Sequence, residues 1–332
     1  MEQTKPLEYR ESAEYIESRP DGQPEPCPSE KGLENRAEGK QGMQREKPEK
    51  TEKQEKQDTY SEQSEQSKQE PRRGRIHLMD ELRGFAVFCM VFYHGFYSMA
   101  NLFDMPLGAF LFRFFMPAEP WFAGLFICIA GISSDLSRSN LIRGAKLLLV
   151  ALLVTGATAL VTPQEMIVFG ILHFLSICMM GFGLFQLLYG KAACALHKKP
   201  RLSFHILPLI LCVLLYLLTM ELQKGYWGLP FLFRLPVPEA FYSNVFTAAL
   251  GFPYPGFSSS DYFPLLPWCF VFIGGTVLGR LARAGRFPAF AYKKRIPFFS
   301  FLGRHALIIY VFHQPVILGI CYGAQALAGL WA

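Results

Sequence analysis

Charge is scarce in this chain: Asp, Glu, Lys and Arg make up only 18% of its 332 residues. Past residue 71, 9 acidic side chains remain against 21 basic ones. Other features are missing altogether. There is no Cys-x-x-Cys and no zinc-like spacing among the eight cysteines, so most of them read as small hydrophobes inside apolar runs. No His-x-x-x-His and no nearby carboxylate pair is present, which argues against a metal site. The two halves show no internal repeat, as an inverted-repeat transporter would. The start lacks a basic-then-apolar stretch, so no secretory signal is expected. A basic excess can indicate nucleic acid, but here the cations lie between apolar runs, the pattern of membrane loops. No nucleic-acid partner is expected.

What is present divides in two. Residues 1–71 hold 18 acidic and 12 basic side chains among runs of Glu, Gln, Lys and Ser. Such a stretch cannot bury enough apolar surface to offset the entropy of ordering, so a disordered charged tail is expected. Residues 72–332 form the second domain. A bilayer core needs about 20 apolar residues per helix. Seven runs meet that need, near 84–101, 118–135, 141–161, 166–189, 204–222, 262–279 and 299–320. The fold class is therefore all-α, a polytopic membrane bundle of about seven spans. Within the long connection 223–261, the apolar stretch 241–251 is too short to cross and is expected to be re-entrant or interfacial. The final apolar run continues past Pro315, so a kink there or a last interfacial segment is expected.

The loops alternate in charge. One side collects 18 basic residues, in the groups 72–83, 138–146, 191–201 and 280–304; the other has only Arg113, Lys224 and Arg234. The positive-inside rule then places the N-terminus in the cytoplasm and, with seven spans, the C-terminus outside.

Polar residues within the spans stand out against this background. Eleven residues separate Arg83 from His94 in the first span, three turns that set both on one face about 16 Å apart. An ionisable residue inside a membrane is costly and points to function. A cation at one membrane face with a base near mid-membrane suits a long, anionic, thioester-bearing substrate such as an acyl-CoA. The alternative for His94 is a structural histidine bonded to a neighbouring carbonyl. His173 and His313 also fall in the middle to outer half of the bilayer, where interhelical hydrogen bonding alone would retain them. Asp80 and Arg83 form an i, i+3 pair that either fixes the start of the helix or aims the guanidinium at phosphate. Gly84 leaves room for a ligand or another helix to approach closely. Asp261 reads first as the N-cap of the sixth span, and second as a carboxylate holding an incoming amine or sugar hydroxyl. Arg304 would anchor the last span and add a phosphate contact.

Four stretches together carry a family resemblance: Arg75 through Asp80, Arg83, Gly84, Ala86 and Met90 to His94; Phe169 to Phe174; Ser260 to Trp268; and Leu302 to Pro315 with Tyr310 and His313. They resemble the heparan-α-glucosaminide N-acetyltransferase catalytic-domain family, in particular its short bacterial branch, and cover 72–332 but not the tail. The Arg-Gly-then-His spacing is shared with the related acyltransferase family 3. The resemblance implies a bacterial plasma-membrane enzyme that loads acetyl-CoA or another acyl-CoA from the cytosol and moves an acetyl or short acyl group to an amine or hydroxyl of a glycan on the far side. It places the donor phosphates near Arg83 and the acyl group near His94; Asp80, Arg75 and Arg304 are the further residues expected to bind the donor. In the lysosomal enzymes an Asn stands at the position of His94, and the active histidine lies in the following loop. Here the stretch 95–119 has no histidine, and the catalytic role passes to His94 by the family 3 pattern.

The expected chemistry is general-base catalysis by neutral His94, or an acyl-histidine intermediate, with His173 or His313 orienting it. Two other classes fit the same features. One is a transporter or flippase of a small or glycan-linked substrate; the other is a scaffold without enzymatic activity that presents the tail. Composition and motifs leave the acceptor, the acyl length, O- against N-acylation and the oligomeric state open.

Overall fold

The computed structural model describes residues 75–196, 203–230 and 232–329. The expected 1–71 tail lies outside the described residues, as do Arg72, Arg73, Lys198, Lys199 and Arg201 of the basic loops. Ten helices follow in the described chain: α1 His77–Asn101, α2 Pro106–Phe115, α3 Glu119–Leu136, α4 Asn140–Val161, α5 Ile171–Ala195, α6 Ile206–Thr219, α7 Val245–Leu250, α8 Leu265–Arg283, α9 Pro297–Arg304 and α10 Ala306–Gly329. A two-residue antiparallel hairpin, β1 Tyr226–Trp227 with β2 Leu235–Pro236, lies in the long connection. Six helical segments are long and apolar enough to cross a membrane. Helix α1, with 25 residues, makes a seventh candidate despite its polar residues Asp80, Glu81, Arg83 and His94. This is an integral membrane helix bundle.

Small residues set the closest contacts, as expected where lipid gives no hydrophobic drive between helices. On α3 and α8, Gly131 and Gly275 approach so nearly that a Cβ on either would overlap the facing backbone. On α1 and α9 the same holds for Gly84, which abuts the Phe299 carbonyl, and Gly303, which abuts that of Asp80. Of the two readings of Gly84, the structure shows the approach of a helix. Helix α4 packs on α5, while α10 packs on α1. The main core joins α3, α5 and α8 around Ile127, Phe174 and Phe272.

Several boundaries differ from the sequence expectation. Helix α1 begins seven residues before 84, so Asp80 and Arg83 stand on the helix itself. The stretch read as a loop after His94 contains α2, whose Leu107, Phe110 and Phe114 are exposed. The fourth span begins at Ile171, not 166, because Phe169 adopts a left-handed conformation (φ 60°) that no helix admits. His173 is consequently the third residue of α5, in its first turn. The last span divides at His305, between α9 and α10, while Pro315 remains inside α10. Membrane helices tolerate proline where neighbouring groups can take up the freed carbonyl. The short α7 falls within 241–251, and its Phe246 is 84% exposed.

Candidate active site

The first end of the site is built on the opening turns of α1. Asp80 is buried and accepts from Arg75 Nε at 2.6 Å and from Arg83 Nη1 at 3.4 Å. Arg83 Nη2 also donates to Ser133 Oγ of α3 at 2.7 Å. These side chains, with Arg283 and Tyr292, line a cavity of about 360 Å³. Three guanidinium groups against one carboxylate give it a cationic wall suited to phosphate. Arg283, at the end of α8, is also paired with Asp135 at 3.2 Å. Glu81, next to Asp80, serves the packing of the helices instead. Its Oε1 accepts from the backbone N–H groups of Arg295 (2.6 Å) and Ile296 (2.9 Å), tying the chain before α9 to α1. Arg304 is exposed, donates to the Ser300 carbonyl of its own helix, and does not line this cavity.

About 16 Å along α1 lies the second end. The rings of His94 (α1) and His313 (α10) are 5.0 Å apart between centroids. His313 Nδ1 lies 2.6 Å from the Tyr310 carbonyl oxygen. A carbonyl only accepts, so Nδ1 carries the proton and Nε2 keeps its lone pair. That Nε2 is buried without a hydrogen-bond partner among the described residues. His94 makes no hydrogen bond to any described residue.

Asp261 ties this end together. One turn before His313, the Tyr310 hydroxyl donates to Asp261 Oδ2, which also accepts from Ile171 N at 3.0 Å. The expected cap of the sixth span is thus the cap of another helix. Asp261 closes the N-terminus of α5, whereas Pro264 precedes α8 without a side-chain cap. The loop geometry enforces this. Phe263 N donates to the Phe169 carbonyl at 3.1 Å and Val168 N to Ser259 Oγ at 3.0 Å, which locks the 167–171 turn onto the 259–263 turn. A Cβ at Gly170 would collide with the Asp261 carboxylate. Burial pushes the Asp261 carboxyl up from its ordinary range, against the downward pull of its two hydrogen bonds.

Two cavities meet at this cluster. One of about 240 Å³, with a mixed polar and apolar lining, runs along α1 from Ala86 to His94 and includes Glu119, Ser260, Asp261, Tyr262 and Tyr310. A larger, mostly apolar one of about 450 Å³ lies between α4 and α10 and shares His94, Ser260, Asp261 and Tyr310. His173 lines neither: its Nε2 faces Thr155 Oγ1 at 3.4 Å, a contact between α5 and α4. The structure therefore joins His94, His313 and Asp261, joins Arg75, Asp80 and Arg83, and leaves His173 outside both cavities of the histidine pair and Arg304 outside the cationic one. Tyr310, Glu119, Ser133 and Tyr292 line these cavities without being marked as functional by the sequence. Tyr310 sits in a family-like stretch, but a tyrosine in an apolar run looks like core; nothing in the local sequence marks the others.

These features define a polytopic membrane protein with a histidine pair between two cavities and a cationic cavity at the other end of the same helix. Residues 75–315 match the family described as heparan-alpha-glucosaminide N-acetyltransferase, catalytic, and the chain belongs to it. It is thus a membrane protein of an acetyltransferase family. Comparison with curated proteins and with solved structures returns no match.

Proposed function

We propose that this protein transfers an acyl group from cytosolic acyl-CoA to an amine or hydroxyl of a glycan on the far side of a bacterial plasma membrane. The N-terminus is then cytoplasmic and the Arg83 cavity opens toward the CoA pool. The observation that carries the reading is the pair His94 and His313, 5.0 Å apart, at the meeting point of two cavities. A membrane-buried histidine with a free lone pair is a ready base, and the fixed tautomer of its neighbour gives it a partner.

In this reading the chain holds the donor at both ends. Arg83, held by Asp80 and Ser133, and Arg75 meet the anionic nucleotide end; Ala86, Val87 and Met90 line the path toward His94. No described residue lines both the Arg83 cavity and the cavity along Ala86 to His94, so the pantetheine arm has to part the side chains of the turn between Arg83 and Val87. Arg304 stands outside this path and contributes inner-face charge.

In the reaction His94 takes the proton from the acceptor as its oxygen or nitrogen attacks the thioester carbonyl. The carbon–sulfur bond breaks, and the imidazolium returns the proton to the CoA thiolate. Protonated His94 has two N–H groups, and the unpartnered Nε2 of His313 accepts the second, stabilising the charge as it develops. Tyr310 and Asp261 hold His313 in place, and Asp261, with Glu119, faces the acceptor. His173 positions α5 against α4.

Arg83→Ala, purified in lipid nanodiscs, tests the donor side of this reading. The substitution weakens acetyl-CoA binding by about tenfold or more, since a hydrogen bond to a charged group contributes about 1.5–3 kcal/mol. Unchanged CoA affinity in that variant would move the phosphate anchor elsewhere.

A further inference from the structure

No hydrogen bond joins the two rings of the histidine pair, since His313 Nδ1 faces the Tyr310 carbonyl and its Nε2 has no partner among the described residues. Their spacing is therefore set by the helices that carry them. Helix α10 is weak at this turn. Pro315 has no N–H, which leaves the Val311 carbonyl without its helical donor, and His313 and Gln314 stand between the two. One flank of the turn faces the cavity of about 450 Å³ between α4 and α10, so no helix presses it toward α1 from that side. Tyr310 ties the turn to Asp261, which does not belong to α1. Gln314 ties it to α1 itself. Its Nε2 donates at 3.0 Å to Oγ of Ser98, a fully buried residue one turn after His94. Among the described residues this is the one hydrogen bond between α1 and α10.

We propose that Gln314 and Ser98 are positioning residues, whose bond holds His313 at the distance from His94 that proton transfer requires. The proposal rests on the acyl-transfer reading and goes beyond it by assigning what aligns the base with its partner. Ser98 lies four residues after His94 and Gln314 directly follows His313, so the bond spans the same gap between helices as the two rings. It brings little net stability. The other end of the amide, Oε1, is buried without a partner among the described residues, and an unpaired acceptor costs about as much as one hydrogen bond contributes. The effect of the bond therefore lies in placement.

The test compares Ser98→Ala, Gln314→Leu and the double variant, each as the full chain in nanodiscs. CoA release from acetyl-CoA, with glucosamine as the probe acceptor, and thermal unfolding are measured on the same preparations. Each single substitution lowers kcat by about ten- to a hundredfold, the scale of a misplacement of about 1 Å. KM for acetyl-CoA stays unchanged, because the Arg83 end lies about 16 Å away. The double variant leaves neither partner unpaired, so it unfolds near the parent's temperature yet keeps the low kcat of the single variants. A kcat that recovers together with stability would reduce the bond to a packing contact and overturn the proposal. Losses that multiply in the double variant would overturn it too, since the two residues would then act separately. Cryo-electron microscopy of the double variant, bound to an antibody fragment, shows the rings further apart than 5.0 Å; rings that keep that spacing contradict the proposal whatever the turnover. A parent without turnover, or one matched by His94→Ala, would sink the acyl-transfer reading, while the ring spacing still decides whether the bond sets the pair.

Discussion

The hydroxyl of Tyr310 on α10 donates to the carboxylate of Asp261, which at the same time caps the N-terminus of α5. Three residues further along α10, His313 takes its tautomer from the Tyr310 carbonyl. One residue therefore connects a helix cap, through its hydroxyl, to the histidine pair, through its carbonyl, although the sequence presents it as an ordinary aromatic in an apolar run.

Tyr310→Phe removes that donor and leaves the buried carboxylate with the Ile171 N–H alone. The expected cost is about 1–3 kcal/mol of stability, with lower turnover as the part of α10 that carries His313 loses its tie to Asp261. Thermal unfolding in nanodiscs together with a CoA-release assay reads both. Wild-type values in both would show that the bond holds nothing in place.

At the other end of α1, Gly84→Ala puts a methyl group into the Phe299 carbonyl and within 2.8 Å of Gly303 N. Helix α9 has to move, at about 1–3 kcal/mol, the usual cost of forcing volume into a packed interior. The shift in unfolding temperature measures it. Gly156→Ala is the control, since nothing lies within 4 Å of the added methyl. Equal effects at the two positions would contradict the close approach of α1 and α9.

Sidedness is a separate expectation. On a background without reactive native cysteines, Arg286→Cys is labelled only from the cytoplasmic face and Gln223→Cys only from outside. Reversed labelling would put Arg83 on the wrong side of the CoA pool.

The spans were legible because hydrophobic runs of bilayer length need no knowledge of partners. Helix α1 and the Arg83–His94 spacing were legible for the same reason, since a helix carries its own periodicity. What was hidden depends on contacts distant in sequence. Asp261 precedes an apolar run, so it reads as a cap of the next helix, but its acceptor oxygen serves Ile171, ninety residues upstream. His173 reads as a mid-span histidine until the left-handed backbone at Phe169 shortens the helix before it. The break at His305 escaped notice because Pro315 is the stronger local signal, yet α9 is held to α1 by Gly84 and Gly303, a fit that only the paired helices reveal. Glu119 and Ser133 acquire meaning from the cavities they line, and cavities leave no trace in local sequence.

In the proposed function, acyl transfer takes place at the histidine pair and CoA is held at the Arg83 end. Turnover of acetyl-CoA and affinity for CoA, measured on the same preparation of His94→Ala, separate the two. The account predicts CoA affinity near that of the parent and turnover lower by about 10²–10⁴-fold, the usual contribution of a positioned base. Normal turnover in His94→Ala would contradict it and return His94 to the role of a packing histidine.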